Sequence, residues 1–182
     1  MLDAAASQFA SRGFQATTIR DIVGAVGMLP GSLYCHFPSK EALLVAVYAE
    51  GVQRIDAALA AAIARHVDPW DRFEAACVAH LDSLLDHSAY AKVVVSVQPS
   101  DVPAASRELA ALRDGYENRI RDLLRALPAA HDHADSVIRM LILGALNWTP
   151  VWFRAGRMTA EQIAKGYVAI LRRSMTARVE DK

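Results

Sequence analysis

Apolar residues recur with a helical period along almost the whole chain. Leu2, Ala5, Ala6, Phe9 and Ala10 fall at i, i+3, i+4, i+7 and i+8, one face of a first helix that Gly13 stops. Ile19, Ile22, Val23 and Val26 form the stripe of a second, with Thr17 or Thr18 as its cap and Thr18 and Asp21 spaced as a capping box. Gly27 suits a left-handed backbone and ends it. Pro30 presets the first turn of a very short third helix through Phe37, and Pro38 and Ser39 break and re-cap the chain. Leu44, Val47, Tyr48, Val52, Ile55, Leu59 and Ile63 then run on as a long fourth helix.

Asp68, Pro69 and Asp71 open a fifth helix in the order cap, N1 proline, first-turn acid, with Phe73, Cys77, His80, Leu81 and Leu84 facing inward. A weaker sixth helix covers Tyr90 to Val97, although "VVVSV" at 93–97 taken alone reads like a strand with no sheet to join. After a linker at 99–103, Leu109, Leu112, Tyr116, Ile120, Leu123 and Leu127 mark a seventh. The eighth spans about Ala134 to Arg154, and Pro150 should kink it or open a turn at Thr149. Thr159 and Gln162 make the capping box of the ninth. The predicted fold is all-α, with about nine helices. Residues 1–46 form a small three-helix domain, fused through helix four to a larger helical body at 47–182.

Composition narrows the possibilities. With 182 residues and 53% hydrophobic content the chain can bury a sizeable core. The apolar run from Ile138 to Phe153 is shorter than the ~20 residues a span needs and holds Arg139, Asn147 and Pro150, so it reads as a helix buried in protein and no membrane is expected. No signal peptide is expected, because an amphipathic helix carrying Asp3 opens the chain. Cys35 and Cys77 lie far apart in no metal-like spacing, which suits a reducing cytoplasm. Twenty basic and twenty acidic residues cancel, and within residues 1–46 Arg12, Arg20 and Lys40 balance Asp3, Asp21 and Glu41. Charge alone therefore names no partner.

Helix, glycine turn, helix is the arrangement by which a second helix is laid in the DNA major groove, although any αα-corner shares that spacing. The full string "FASRGFQATTIRDIVGAVGMLPGSLYCHFPSKEALL" at 9–44 closely resembles, without a gap, the amino-terminal domain of the TetR family of transcriptional regulators. The resemblance implies that Tyr34 and His36 contact phosphate from the exposed side of the recognition helix, with Thr17, Thr18 and Lys40 doing so from two helix starts. Leu33 and Phe37 are its buried anchors. Met28, Leu29, Gly31, Ser32 and Cys35 face the bases; being mostly apolar or small, they leave part of the specificity to DNA shape. Three positions depart from the family: Leu29 stands where serine or threonine usually caps the recognition helix, a loss of about 1 kcal/mol, Cys35 replaces a larger polar residue, and Val23 replaces an alanine. Family members also carry a basic arm before helix one, so the expectation is an internal start or a modest affinity.

Farther on, "LRDGYENRI" at 112–120 and "LGALNWTPVWFRAGRMTAEQIAKGYVAIL" at 143–171 resemble a TetR subgroup some of whose members answer to fatty-acyl or other CoA thioesters. The two resemblances together imply a ligand-responsive regulator, a repressor by expectation, that binds a palindromic DNA operator as a homodimer and is released by a largely apolar small molecule. Trp148 and Trp152, one turn apart, either wall an effector cavity with Phe73, Cys77, Tyr90, Val94 and Tyr116 or are ordinary core. His80 reads as a core histidine rather than a metal ligand, although His87 lies seven residues on. His131 and His133 belong to a solvated turn, and the charges Arg113, Asp114, Glu117, Arg119, Arg121 and Asp122 to a solvated helix face. The ninth-helix stripe of Ile163, Tyr167, Ile170 and Leu171, with helix eight, is the expected dimer interface. No nucleophile with a base and no phosphate loop is spaced for catalysis, so neither enzyme activity nor a cofactor is expected. The alternative is a helical ligand-binding or interaction protein with weakened DNA binding.

Overall fold

Helix starts follow the caps written in the sequence. The computed structural model describes residues 1–86, 88–128 and 135–176. Among these residues it has nine α-helices and no strand: α1 (Leu2–Arg12), α2 (Ile19–Ala25), α3 (Pro30–Tyr34), α4 (Lys40–Ile63), α5 (Pro69–Leu85), α6 (Ala89–Ser96), α7 (Ser106–Arg125), α8 (Asp135–Trp152) and α9 (Ala160–Thr176). The Asp68 carboxylate accepts from the N–H groups of Trp70 and Asp71. The Gln162 N–H donates to the Thr159 hydroxyl while its side-chain carbonyl accepts from the Thr159 N–H, closing the expected box. The β-branched run at 93–97 is the end of α6, because Tyr90, Val93 and Val97 share one buried face at helical spacing and packing overrides propensity.

The chain divides into two compact units. The first comprises residues 1–54 and 87–115, so it runs past residue 46 along α4 and takes in α6 as well. Its core joins Phe9, Ile22, Leu33, Leu44, Tyr48, Tyr90, Val93 and Leu109. Gly51 lets α4 and α6 touch: a Cβ there would lie 2.7 Å from Val94 Cγ2 and 3.0 Å from the Tyr90 carbonyl oxygen. Tyr90 also donates its hydroxyl to Asp3 at 2.9 Å and carries Arg54 over its ring, so three helices meet on one side chain. Burial, with Asp3 adding, pushes its phenol up to about 12.

The second unit comprises residues 55–86 and 116–182. Helix α5 is its centre, packing on both α8 and α9. Trp70, Phe73, Ala76, Cys77, His80, Leu81 and Leu84 bury one face of α5; Ile163, Ala164, Val168, Leu171 and Met175 bury one face of α9. Helix α8 is apolar on two sides. Ile138, Ile142, Leu143, Leu146 and Thr149 are buried, whereas Val137, Leu141, Trp148 and Val151 are exposed. The helix continues through Pro150 to Trp152, so of the two expected outcomes, a kink or a turn at Thr149, the turn is not taken there; the chain turns later, with Gly156 at φ 97°. The Thr149 hydroxyl turns inward to the Ala145 carbonyl at 2.8 Å and lies 3.1 Å from the Tyr167 hydroxyl on α9. His87, His131, His133 and the Ala134 start proposed for α8 lie outside the described residues.

Candidate nucleic-acid interface and buried polar core

The α2–α3 corner is built as its residues dictate. Thr18 and Asp21 exchange reciprocal bonds at the start of α2, and those bonds, with Arg12 adding, hold the Asp21 carboxyl below its usual range. Gly27 takes φ 66°, which lets the Met28 N–H reach back to the Val23 carbonyl at 2.9 Å. Helix α3 ends at Tyr34 rather than Phe37, although the N–H groups of His36 and Phe37 still donate to the Leu33 carbonyl. Leu29 occupies its N-cap without a side-chain hydrogen bond, as the departure from serine or threonine implies. Leu33 is buried and Phe37 half-buried beneath it, while Leu29 (77%), Gly31, Ser32, Tyr34 (54%), Cys35 and His36 are exposed and Met28 is half-buried.

Two predicted phosphate contacts are engaged within the chain, Thr17 wholly and Lys40 in part. Thr17 is fully buried, its hydroxyl donating to the carbonyls of Gly13 at 2.8 Å and Gln8 at 3.2 Å. It closes the α1–α2 turn and presents no hydroxyl to solvent; of the two adjacent threonines only Thr18 is exposed. Lys40 gives two of its protons to the carbonyls of Phe14 (2.9 Å) and Thr17 (3.1 Å) and sits 4.2 Å from the Phe14 ring centroid. An ammonium has three protons, so one remains. Arg20 is exposed beside Thr18, on the solvent face that the α2 stripe marks by exclusion, yet sequence reasoning passes over it.

In the second unit the predicted cavity lining separates. Phe73 and Cys77 are fully buried, and burial pushes the Cys77 thiol up. Trp148 and Trp152 are 64% and 44% exposed, so they do not wall an interior cavity. They lie on the outer side of α8, where a helix apolar all round must show one face. Tyr90 and half-buried Val94 belong to the first unit. A 620 Å³ cleft lies instead among Ile63, Val67, Pro69, Arg72 and Leu123.

A polar chain runs through this interior. The Tyr116 hydroxyl meets His80 Nδ1, and His80 Nε2 lies 2.9 Å from Asn147 Oδ1. Because the amide oxygen only accepts, Nε2 carries the proton and Nδ1 accepts from Tyr116. Burial pulls His80 down to about 4 and pushes the Tyr116 phenol up, so both are neutral. The α7 charges are not simply a solvated face: Glu117 pairs with Arg139 of α8 with both side chains largely buried, and Arg119 grips Asp56. No group of three or more His, Cys, Asp or Glu side chains among the described residues could hold a metal.

The family described as bacterial regulatory proteins, tetR family, matches residues 1–47, and that described as tetracyclin repressor-like, C-terminal domain, matches residues 66–175. The chain belongs to the TetR family. The HTH-type transcriptional repressor KstR2 of Rhodococcus jostii is 30% identical to it over 177 residues, covering 94% of this chain and 87% of the relative. PfmR, a TetR family transcriptional regulator from Thermus thermophilus, superposes with a TM-score of 0.76 at 28% identity, over 94% of this chain and 96% of its own. The ketosteroid transcriptional regulator KstR2 of Mycobacterium tuberculosis does so with 0.72 at 26%, over 93% and 90%. TetR relatives are transcriptional regulators, and no helix among the described residues is long and apolar enough to cross a membrane.

The stripe expected to pair two TetR chains is largely consumed within one. Ile163 (3%) and Leu171 (6%) are buried where α9 packs on α5, and Tyr167 is half-buried. Only Ile170, 62% exposed, faces out. The periodicity locates a buried face correctly and assigns it to the wrong partner.

Proposed function

We propose that this TetR protein is a repressor that binds a palindromic DNA operator as a homodimer and is released by a largely apolar small molecule. The observation that carries the reading is the exposed surface of α3 and the turn after it, with Ser32, Tyr34 and His36 outward and Leu33 locked beneath. Tyr34, His36 and the remaining Lys40 proton serve the phosphate backbone, joined by Arg20, while Leu29, Gly31, Ser32 and Cys35 meet base edges. Dimerisation uses α8. Val137, Leu141, Gly144, Trp148 and Val151 are exposed at alternating spacings of four and three, the seam of a left-handed helix pair, and α9 adds the exposed Ile170. A palindromic operator calls for two recognition helices related by a two-fold, which a dimer supplies.

The effector reading rests on the apolar interior of the second unit and on the kind of molecule in a relative's name, ketosteroid. Fatty-acyl and other CoA thioesters are the class that the subgroup resemblance adds. The test starts with full-length protein and selection from random duplexes, followed by titration at two salt concentrations. Two-fold-symmetric, salt-sensitive sites are expected. Ile170→Glu or Leu141→Glu should yield monomers in sedimentation and lose operator binding with helicity retained. A wild-type monomer at micromolar concentration defeats the interface, and the absence of salt-sensitive duplex binding turns the reading towards a ligand-binding protein with weakened DNA binding.

A further inference from the structure

Reading bases by hydrogen bonds calls for particular side chains. Arginine or lysine pairs with guanine, asparagine or glutamine with adenine, and aspartate or glutamate with cytosine. From Ile22 to Ser39 the chain holds none of these residue types. Of the charges that flank this stretch, Asp21 is bound to Thr18 and Arg12, Lys40 is largely engaged by the α1–α2 turn, and Arg20 lies back at the start of α2. The base-facing set thins further on inspection. Gly31 has no side chain, Met28 packs partly against the core of the first unit, and the Cys35 thiol donates back to the Gly31 carbonyl at 3.5 Å. The Ser32 hydroxyl and Leu29 remain. Leu29 stands at the N-cap of α3 with φ −83° and ψ 147°, where serine, threonine or aspartate would fold a polar side chain back onto the helix. A leucine cannot do so. Its side chain projects from the protein instead, 77% exposed, more than any other large apolar side chain described in the first unit.

We infer that Leu29 reads the 5-methyl group of a pyrimidine, so that each operator half-site is fixed by a thymine at one place and binding responds to that single carbon. This rests on the reading of α3 as the recognition helix. Thymine is the one base that shows an apolar group in the major groove. An alkyl side chain laid on that methyl removes apolar surface of both partners from water, whereas laid on the polar edge of any other base it strips water and returns no hydrogen bond. Ser32, which both donates and accepts, tolerates several bases and leaves the choice to Leu29. The same chemistry extends to one modified base: 5-methylcytosine carries its methyl at the thymine position, so methylation of a cytosine there strengthens binding.

The test takes the duplex selected by the full-length protein and replaces its thymines by uracil one at a time, which deletes only the methyl, with affinity read by fluorescence anisotropy at one salt concentration. At one position in each half-site the loss should be about fourfold, the transfer free energy of one carbon, and about fifteenfold when both are replaced. Cytosine at that position should bind about fourfold more tightly when methylated at C5. Leu29→Ser is the matched variant: it supplies a capping hydroxyl, so its thermal midpoint should not fall, and it should bind thymine and uracil duplexes equally. Wild type indifferent to every uracil overturns the inference. So does a Leu29→Ser protein that keeps the full uracil penalty, since DNA shape or another side chain would then sense the methyl. Binding lost on 7-deazaguanine with no response to uracil hands the choice to Arg20 and overturns it too. Absence of any preferred duplex for wild type overturns the operator reading itself, and this inference with it.

Discussion

Replacing Lys40 by methionine separates a clamp from a phosphate contact. The apolar stem survives and the ammonium is lost. That ammonium donates to the carbonyls of Phe14 at 2.9 Å and Thr17 at 3.1 Å and sits 4.2 Å from the Phe14 ring centroid. Hydrogen bonds from a charged donor contribute about 1.5–3 kcal/mol each and an exposed cation–π contact about 0.5–1 kcal/mol. Partial hydration of the half-buried head discounts that sum, leaving about 2–3 kcal/mol for the turn between α1 and α2. Urea unfolding followed by circular dichroism should show the midpoint falling by about 1 M at a slope near ~2 kcal/mol/M. Operator titration of the folded variant is a separate readout: loss of one phosphate contact lowers the salt slope by about one unit. An unmoved midpoint refutes the clamp. A lower midpoint with an unchanged salt slope leaves the clamp standing and removes Lys40 from the DNA interface.

Gly51→Ala should destabilise the first unit by about 1–3 kcal/mol, because its Cβ would press on Val94 and on the Tyr90 carbonyl, and the carbonyl is fixed in a helix; thermal unfolding checks it, and an unchanged midpoint would deny the close approach. His80 gives a pH signature. Its folded pKa of about 4 lies below the unfolded value of 6.5, so the unfolded chain binds the extra proton between them. Stability is therefore full above about pH 6.5 and falls towards pH 4 by roughly 3 kcal/mol in all, a slope that His80→Gln should remove from urea midpoints measured across that range.

Local signals in this sequence are readable because they act over a few residues. Thr18 with Asp21, Asp68 before Pro69, and Thr159 with Gln162 each name a helix start, and Gly27 names a turn. Apolar stripes locate buried faces equally well. What a stripe does not encode is its partner: Ile163 and Leu171 look the same whether α5 or a second chain covers them. Helix α8 carries apolar residues all round, so its sequence cannot say that Trp148 faces out and Leu146 in. Thr17 is misread because its acceptors, the carbonyls of Gln8 and Gly13, belong to backbone that periodicity does not place. Glu117 and Arg139 carry no signal as a pair, each being an ordinary charge on its own helix until the fold brings them together.

The first unit is discontinuous, and that bears on how such regulators can be recombined. The chain leaves it after residue 54, lays down the first segment of the second unit with 55–86, and returns to supply 87–115. A hybrid sensor made by grafting residues 1–46 onto another body would leave behind Tyr90, Val93, Val97 and Leu109, and with them the Asp3 bond and the surface that Gly51 is shaped to meet. Such a graft inherits the reading head without the lining that keeps it rigid. The exchangeable module is a two-segment one, 1–54 together with 87–115, and a library built on that boundary transplants a complete core along with the proposed recognition helix.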